Sequence, residues 1–259
     1  MRSLKLWYRR YGEEAAAVNP LLFVHGLLGS SENWHSVASD FSASRTIIVP
    51  DLRNHGRSPH AAEHNYESMA DDLFRLLDLI GIERCTIVGH SMGGKVAMRF
   101  ALDYPERVTG MVIEDMVPGS TFPRYLPFIE ALRSVDLLVV TSRREADAAL
   151  AKVIADSTIR QFLLKNLMSV DGGYRWRPNL KVLAESYDSL WRGLERTGAY
   201  SGPALFIRGG ESDTVADTRF DSIGEYFPLA RIETIQGAGH WIHATHQNEF
   251  AIALESFLK

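Results

Sequence analysis

Six short apolar runs, rich in β-branched residues, alternate along the chain with segments of helical periodicity. Continuous apolar runs are typical of strands in a parallel sheet, because helices cover both faces of such a sheet. The runs are Leu21 to Val24, Thr46 to Val49, Thr86 to Val88, Met111 to Ile113, Ala204 to Ile207 and Ile232 to Ile235. Helical patterns cover Tyr66 to Ile80 and Met92 to Tyr104, and a last one runs from Asn248 to Leu258. The alternation predicts an α/β fold with a mostly parallel central sheet.

One interval between these runs is far longer than a single connection requires. About ninety residues separate Ile113 from Ala204, and this interval has helical patterns of its own. They cover Phe128 to Val135, Arg143 to Ala155, Thr158 to Leu167 and Leu180 to Leu194. Glycine and proline mark both of its ends. We therefore predict a helical cap at residues 118–201, inserted into a core domain of residues 1–117 and 202–259.

The charge is distributed unevenly between these two parts. The chain of 259 residues has a net charge of −4, too small to indicate general binding to nucleic acid. The cap segment has 12 basic and 9 acidic residues, a net charge of +3, so the remainder carries −7. The positive charge of the cap either belongs to an ordinary solvated surface or attracts an anionic substrate.

The sequence also indicates where the protein is located and which partners it has, because several features of exported, metal-binding and membrane proteins are missing. Cys85 is the only cysteine, so neither an internal disulfide nor a CxxC metal site is possible. The basic N-terminus has no apolar core of a signal peptide, and no apolar run approaches the roughly 20 residues that span a bilayer. We expect a cytoplasmic protein without membrane insertion or cofactor, a monomer or small homo-oligomer that acts on a small molecule.

A candidate nucleophile lies in the sequence Gly89-His90-Ser91-Met92-Gly93, between a predicted strand and a predicted helix. A G-x-S-x-G motif in this position is typical of a sharp, strained turn that exposes the serine at the carboxyl end of the sheet. The glycines leave room for the close contacts of such a turn. The context favours Ser91 as a catalytic nucleophile over a coincidental turn.

A glycine-rich loop, His25-Gly26-Leu27-Leu28-Gly29-Ser30, follows the first predicted strand and emerges at the same sheet edge. Backbone N–H groups of Leu27 and Met92 are predicted to form an oxyanion hole, a contribution of about 2.7–4 kcal/mol per donor.

His240 is the predicted general base, because Gly237-Ala238-Gly239-His240-Trp241 follows the last predicted strand. With His243 and His246 it forms an H-x-x-H-x-x-H pattern, but positions six apart do not share a helix face, so we predict no metal site. Two aspartates at strand ends, Asp115 and Asp213, are candidates for the acid that orients the imidazole. General considerations for this fold favour Asp213.

Six dispersed segments, HGLLGS, PDLRNHGRSPH, VGHSMGGKVAM, IEDMVP, RQFLLKNL and GAGHWIHA, resemble the bacterial YbfF-type esterases of the α/β-hydrolase superfamily. The resemblance covers essentially the whole chain and implies an α/β-hydrolase fold with a cap. It also implies that Asp115 is the acid, that Ser212 assists it, and that Arg124 in the cap anchors large acyl substrates. The acidic neighbours of Ser212 keep Asp213 as the competing assignment, but we favour Asp115.

The predicted activity is hydrolysis of a carboxylic ester or an acyl-coenzyme A thioester through Ser91, His240 and an aspartate. Aromatic residues of the cap, Phe122, Phe128, Phe162, Tyr174 and Trp176, fit a fatty-acyl chain but equally fit packing of the cap. The alternatives are a carbon–carbon bond hydrolase or a cofactor-free haloperoxidase with the same triad. An alternative of another class is a ligand-binding receptor with vestigial hydrolysis.

Overall fold

The computed structural model describes residues 4–13, 18–216 and 220–259. Its strands are β1 (Tyr8–Tyr11), β2 (Leu21–Val24), β3 (Ile47–Pro50), β4 (Cys85–His90), β5 (Val108–Glu114), β6 (Leu167–Val170), β7 (Gly173–Trp176), β8 (Ala204–Gly209) and β9 (Ala230–Ile235). Seven strands form one sheet in the order β1-β3-β2-β4-β5-β8-β9, in which only β1 runs antiparallel to its neighbour. The predicted mostly parallel sheet is confirmed.

The edge strand β1 is not among the predicted strands, because its sequence Tyr-Arg-Arg-Tyr lacks a continuous apolar run. It is half-exposed and pairs with β3 alone, so apolar residues are not required at every position.

The described part of the chain forms helices on both faces of this sheet and in the segment between β5 and β8. They are α1 (His35–Phe41), α2 (Tyr66–Leu79), α3 (Met92–Asp103), α4 (Leu126–Ser134), α5 (Arg143–Leu150), α6 (Ser157–Leu164), α7 (Leu180–Glu185), α8 (Tyr187–Trp191), α9 (Phe220–Tyr226), α10 (Ile242–Thr245) and α11 (Gln247–Phe257). None of the helices in the described part of the chain combines the length and the apolar composition that a bilayer span requires.

Successive strand residues contribute to two separate cores. Leu22 and Val24 of β2 pack in a cluster with α2, α3 and α9. Leu21 and Phe23 of the same strand pack in a second cluster with α1, α10 and α11. All four side chains have no exposed surface, which explains why the strand has no polar alternation.

The segment between β5 and β8 contains α4 to α8 and packs around its own apolar cluster, which includes Leu132, Leu150, Leu164 and Leu183. The segment is mostly helical, but it also contains a hairpin that the sequence did not predict. The helix predicted at Thr158 to Leu167 is present as α6 but ends at Leu164, and Leu167 is already the first residue of the antiparallel hairpin β6–β7. Asp171-Gly172 forms its two-residue connection, and the φ of +86° at Gly172 suits glycine.

The predicted helix from Leu180 to Leu194 is divided at Ser186, whose backbone is not helical. The first half packs in the cluster of the inserted segment through Leu183. The second half contacts that cluster through Tyr187 and the main core through Leu190. Tyr200 also packs in the main core. The boundaries at residues 118 and 201 stay predictions.

Candidate active site

Ser91 lies on the turn between β4 and α3, with φ of 54° and ψ of −121°. This conformation is sterically unfavourable for a residue with a side chain, and such strain is concentrated at functional sites. A Cβ atom at Gly93 would come within 2.3 Å of the Val24 carbonyl oxygen, and one at Gly89 within 2.3 Å of the Gly93 oxygen. The predicted sharp turn and its need for both glycines are confirmed.

The loop after β2 is held by two buried histidines. His25 donates from Nδ1 to the Gly26 carbonyl over 2.8 Å and accepts the Leu52 N–H at Nε2 over 3.0 Å. His55 accepts the Leu28 N–H at Nε2 over 3.1 Å. Burial lowers the pKa of both imidazoles, so they hold the loop as neutral rings. Both side chains thus hold the loop in place, and the contribution of His55 has no sequence signal.

Leu27 of this loop and Met92 line the same cavity as Ser91. Met92 is the first residue of α3, so its N–H has no partner within the helix and lies at the positive end of the helix dipole. Both residues therefore line the cavity in which the oxyanion hole is predicted.

Asp115 follows β5 and contacts His240 directly. Its Oδ2 accepts hydrogen bonds from His240 Nδ1 over 2.6 Å and from Ser212 Oγ over 2.5 Å. Its Oδ1 accepts the Gly209 N–H over 3.2 Å. The carboxylate is buried, and Asp115 has a φ of +46°, a second strained residue next to the nucleophile turn. The structure thus brings together Asp115, His240 and Ser212.

Asp213 does not contact the His240 ring. Its carboxylate is 72% exposed and accepts a hydrogen bond from Arg124 Nη1 over 2.6 Å. This bond lowers the pKa of the Asp213 carboxyl. The general preference for Asp213 as the partner of His240 is therefore wrong, because the loop after β8 turns this side chain outward to the cap.

The other ring nitrogen of His240, Nε2, is buried and makes no hydrogen bond within the described residues. His240 and Ser91 line one cavity of about 550 Å³, a volume that includes its open mouth. Apolar and aromatic side chains form most of the wall: Leu27, Tyr66, Met92, Met116, Phe122, Tyr125, Tyr187, Leu190 and Trp191. Arg124 and two threonines complete it.

The cavity wall includes residues that sequence reasoning did not identify. Tyr125 precedes α4, whereas Tyr187 and Trp191 lie in α8, and folding of the inserted segment brings them to the cavity of Ser91. Of the aromatic residues named above, Phe122 lines this cavity, and Phe162 lines a second cavity whose wall also includes Ser91 and His240. Phe128, Tyr174 and Trp176 pack against the apolar cluster of the inserted segment.

His243 lies in a buried group with His90 and Glu114, in which potential metal-ligand atoms lie within 4.8 Å of one another. These atoms already have protein partners: Glu114 accepts from His243, and His90 Nε2 donates to the His240 carbonyl. The group contains one residue of the H-x-x-H-x-x-H pattern. Its arrangement is that of a hydrogen-bonded network.

The family model described as alpha/beta hydrolase fold matches residues 19–247. The chain therefore belongs to the α/β-hydrolase family, and the expectation drawn from the six segments is confirmed.

Two curated relatives illustrate the similarity. The sn-1-specific diacylglycerol lipase ABHD11 of Mus musculus is 39% identical over 100% of this chain and 86% of its own length. The esterase YbfF of Escherichia coli is 36% identical over 93% of both chains. A solved structure, a marine microorganism esterase, aligns with a TM-score of 0.95 at 37% identity over 98% of this chain and 100% of its own.

Proposed function

We propose that this chain hydrolyses carboxylic esters through Ser91, His240 and Asp115 and forms an acyl-enzyme intermediate. The proposal depends most on the hydrogen bond of 2.6 Å between His240 Nδ1 and Asp115 Oδ2. This bond assigns the ring proton to Nδ1 and leaves Nε2, in the cavity shared with Ser91, as a proton acceptor. The relatives named as esterases and as a lipase support action on ester bonds.

In the first step, His240 Nε2 accepts the Ser91 proton while Oγ attacks the acyl carbonyl carbon. The N–H groups of Leu27 and Met92 donate to the oxyanion, and Asp115 stabilises the imidazolium. His240 then gives the proton to the leaving alkoxide or thiolate. A water molecule repeats the sequence on the acyl-enzyme and releases the carboxylic acid.

Ser212 has a supporting role in this proposal. Its hydroxyl donates to the oxygen of Asp115 that also accepts from His240, so it orients the carboxylate and satisfies a second lone pair.

The wall of the cavity supports an ester with an apolar acyl group. Burial of an acyl chain among these side chains contributes about 0.8 kcal/mol per methylene. Arg124 is the cationic group of the wall and a candidate anchor for an anionic group of the substrate, such as the phosphates of an acyl-coenzyme A. Such a group must displace Asp213 from Arg124, so we propose neutral apolar esters as the preferred class.

A series of p-nitrophenyl esters from two to sixteen acyl carbons tests the proposal, before and after labelling with a serine-directed phosphonate. We expect hydrolysis that the label abolishes and a chain-length optimum set by the cavity. Ser91→Ala is the matched variant, and it should be inactive and unlabelled while keeping the wild-type Tm. Substantial hydrolysis by Ser91→Ala would refute the mechanism.

An acyl-coenzyme A series, followed by thiol release, tests thioesters in parallel. Cys85 does not interfere with the thiol reagent, because it is completely buried and burial raises its pKa to about 12. Failure of every ester with turnover of a vinylogous diketone would favour a carbon–carbon hydrolase. Turnover below about one per hour with tight ligand binding would favour a receptor, since enzymes typically turn over about 10 times per second. Location in the cytoplasm stays a prediction from the sequence.

A further inference from the structure

The loop that carries His240 is attached on both sides to the strand ends that carry Ser91 and Asp115. His90, directly before Ser91, donates from Nε2 to the His240 carbonyl oxygen over 2.9 Å. Glu114, directly before Asp115, accepts the His243 backbone N–H at Oε1 over 2.8 Å. Both carboxylate oxygens of Glu114 also lie 2.9 Å from His243 Nδ1. The two anchors therefore hold the backbone at His240 and three residues beyond it.

These anchors lie in a region from which solvent is largely excluded. His90, Glu114 and His243 are 5%, 0% and 5% exposed. Burial lowers the pKa of His90 to about 3, so the ring is neutral and its single proton lies on Nε2, toward the carbonyl. Burial favours the neutral form of Glu114 too, but its interactions with His243, which include hydrogen bonds from the backbone N–H and from Nδ1, outweigh burial and hold the Glu114 pKa below the usual range. Hydrogen bonds in such surroundings are strong and costly to break.

His90 also contacts the other parts of the site. Its ring centroid lies 4.8 Å from that of His240, and a side chain at Gly26 would come within 3.0 Å of His90 Nδ1. The residue is therefore in contact with the base and with the loop proposed to supply an oxyanion donor. A displacement of His240 by about 1 Å is enough to lower a rate by about 10²-fold.

We propose that His90 and Glu114 are positioning residues, which fix the loop of residues 237–243 so that His240 reaches Asp115 and Ser91 at once. The inference rests on the proposed function, because it assigns His240 the role of the base. It goes beyond that function by adding a buried hydrogen-bonded layer behind the triad, built from the residues directly before the nucleophile and the acid.

Replacement of His90 tests the first anchor. His90→Ala removes the donor to the His240 carbonyl, and we expect kcat for the preferred ester to fall about 10²-fold with KM unchanged. His90→Gln retains an N–H donor at a similar distance and should recover kcat to within about tenfold of the wild type. Ile87→Ala is the matched control: it truncates a completely buried side chain of the same strand that packs on α2 and α3, and should lower Tm but not kcat.

Glu114→Gln tests the second anchor without a change of size. The amide oxygen can still accept the His243 N–H, but the carboxylate charge is lost, and we expect kcat to fall about tenfold. A spectroscopic readout accompanies the kinetics: the far-downfield proton resonance of the His240 Nδ1–H that Asp115 accepts. It should shift or disappear in His90→Ala and Glu114→Gln and persist in Ile87→Ala.

A folded His90→Ala variant with wild-type kcat and an unchanged resonance would overturn the inference, as would a His90→Gln variant no more active than His90→Ala. If His90→Ala does not fold, wild-type kcat and an unchanged resonance in Glu114→Gln would overturn it. Ser91→Ala in the same assay separates the two proposals. Hydrolysis by Ser91→Ala refutes the proposed function, whereas an inactive Ser91→Ala beside a fully active His90→Ala refutes only the positioning role.

Discussion

Asp115→Asn is expected to inactivate the enzyme by placing the His240 proton on the wrong nitrogen. The two oxygens of Asp115 have different partners. Oδ1 accepts the backbone N–H of Gly209, and Oδ2 accepts from Ser212 Oγ and His240 Nδ1. An asparagine amide has one acceptor oxygen and one NH₂ group, so it can accept hydrogen bonds in place of only one of these two carboxylate oxygens.

The Gly209 N–H determines the orientation of the amide, that is, whether its oxygen points to Gly209 or to His240 and Ser212. An NH₂ group pointing at that backbone N–H would leave both donors without an acceptor in a buried site. The amide oxygen therefore faces Gly209, and the NH₂ group faces His240 Nδ1 and donates to it. The ring proton moves to Nε2, which can no longer accept the Ser91 proton. The same error of tautomer in a chymotrypsin-type triad lowers kcat about 10⁴-fold, and we expect a similar loss, about 5.4 kcal/mol in the barrier.

Steady-state kinetics with the preferred p-nitrophenyl ester measures this loss, with thermal unfolding as the check on folding. Asp213→Asn is the matched control, because it makes the same chemical change at a carboxylate that contacts Arg124 and not His240. It should retain kcat for a neutral ester within about threefold. The reasoning is refuted if Asp115→Asn keeps more than about a tenth of the wild-type kcat, or if Asp213→Asn is the disabled variant.

Three further predictions follow from the same contacts. Ser212→Ala removes one donor to Asp115 but leaves the hydrogen bond from His240 to Asp115, so kcat should fall only about tenfold with KM unchanged. A loss of kcat as large as that of Asp115→Asn would contradict the supporting role of Ser212. Asp213→Asn releases Arg124, so the KM of this variant for an anionic thioester should be lower than that of the wild type at low salt. This difference in KM should vanish at high salt, and a difference insensitive to ionic strength would contradict the electrostatic explanation. Gly93→Ala places a Cβ atom 2.3 Å from the Val24 carbonyl oxygen, and we expect a destabilisation of about 1–3 kcal/mol or more in chemical denaturation; a wild-type midpoint would contradict the tight contact.

Local sequence was sufficient for the parts of the site whose geometry depends on neighbours in the chain. A strand, two glycines and a helix start define the turn at Ser91, because the steric demands of that turn involve adjacent residues. His240 was identifiable for the same reason, as a histidine in a glycine-rich loop directly after the last strand. The continuous apolar runs predicted the central strands, since burial on both faces leaves no position for a polar residue.

The sequence left the partner of His240 open between Asp115 and Asp213, because both follow strands that end at the same sheet edge. The choice depends on side-chain direction, which tertiary contacts set: Asp115 is turned inward toward Gly209, Ser212 and His240, and Asp213 outward toward Arg124.

The inserted segment also has features that the sequence alone did not predict. Apolar periodicity indicates that a helix is amphipathic but not where it ends or which core it joins, so the hairpin β6–β7 and the break at Ser186 were not predicted. Tyr125, Tyr187 and Trp191 were not predicted as cavity residues either. Thus the sequence by itself determined the central strands, the nucleophile turn and the loop of the base, because those features are local. Only the tertiary structure decided the acid partner and the cavity wall, because they join residues far apart in the chain.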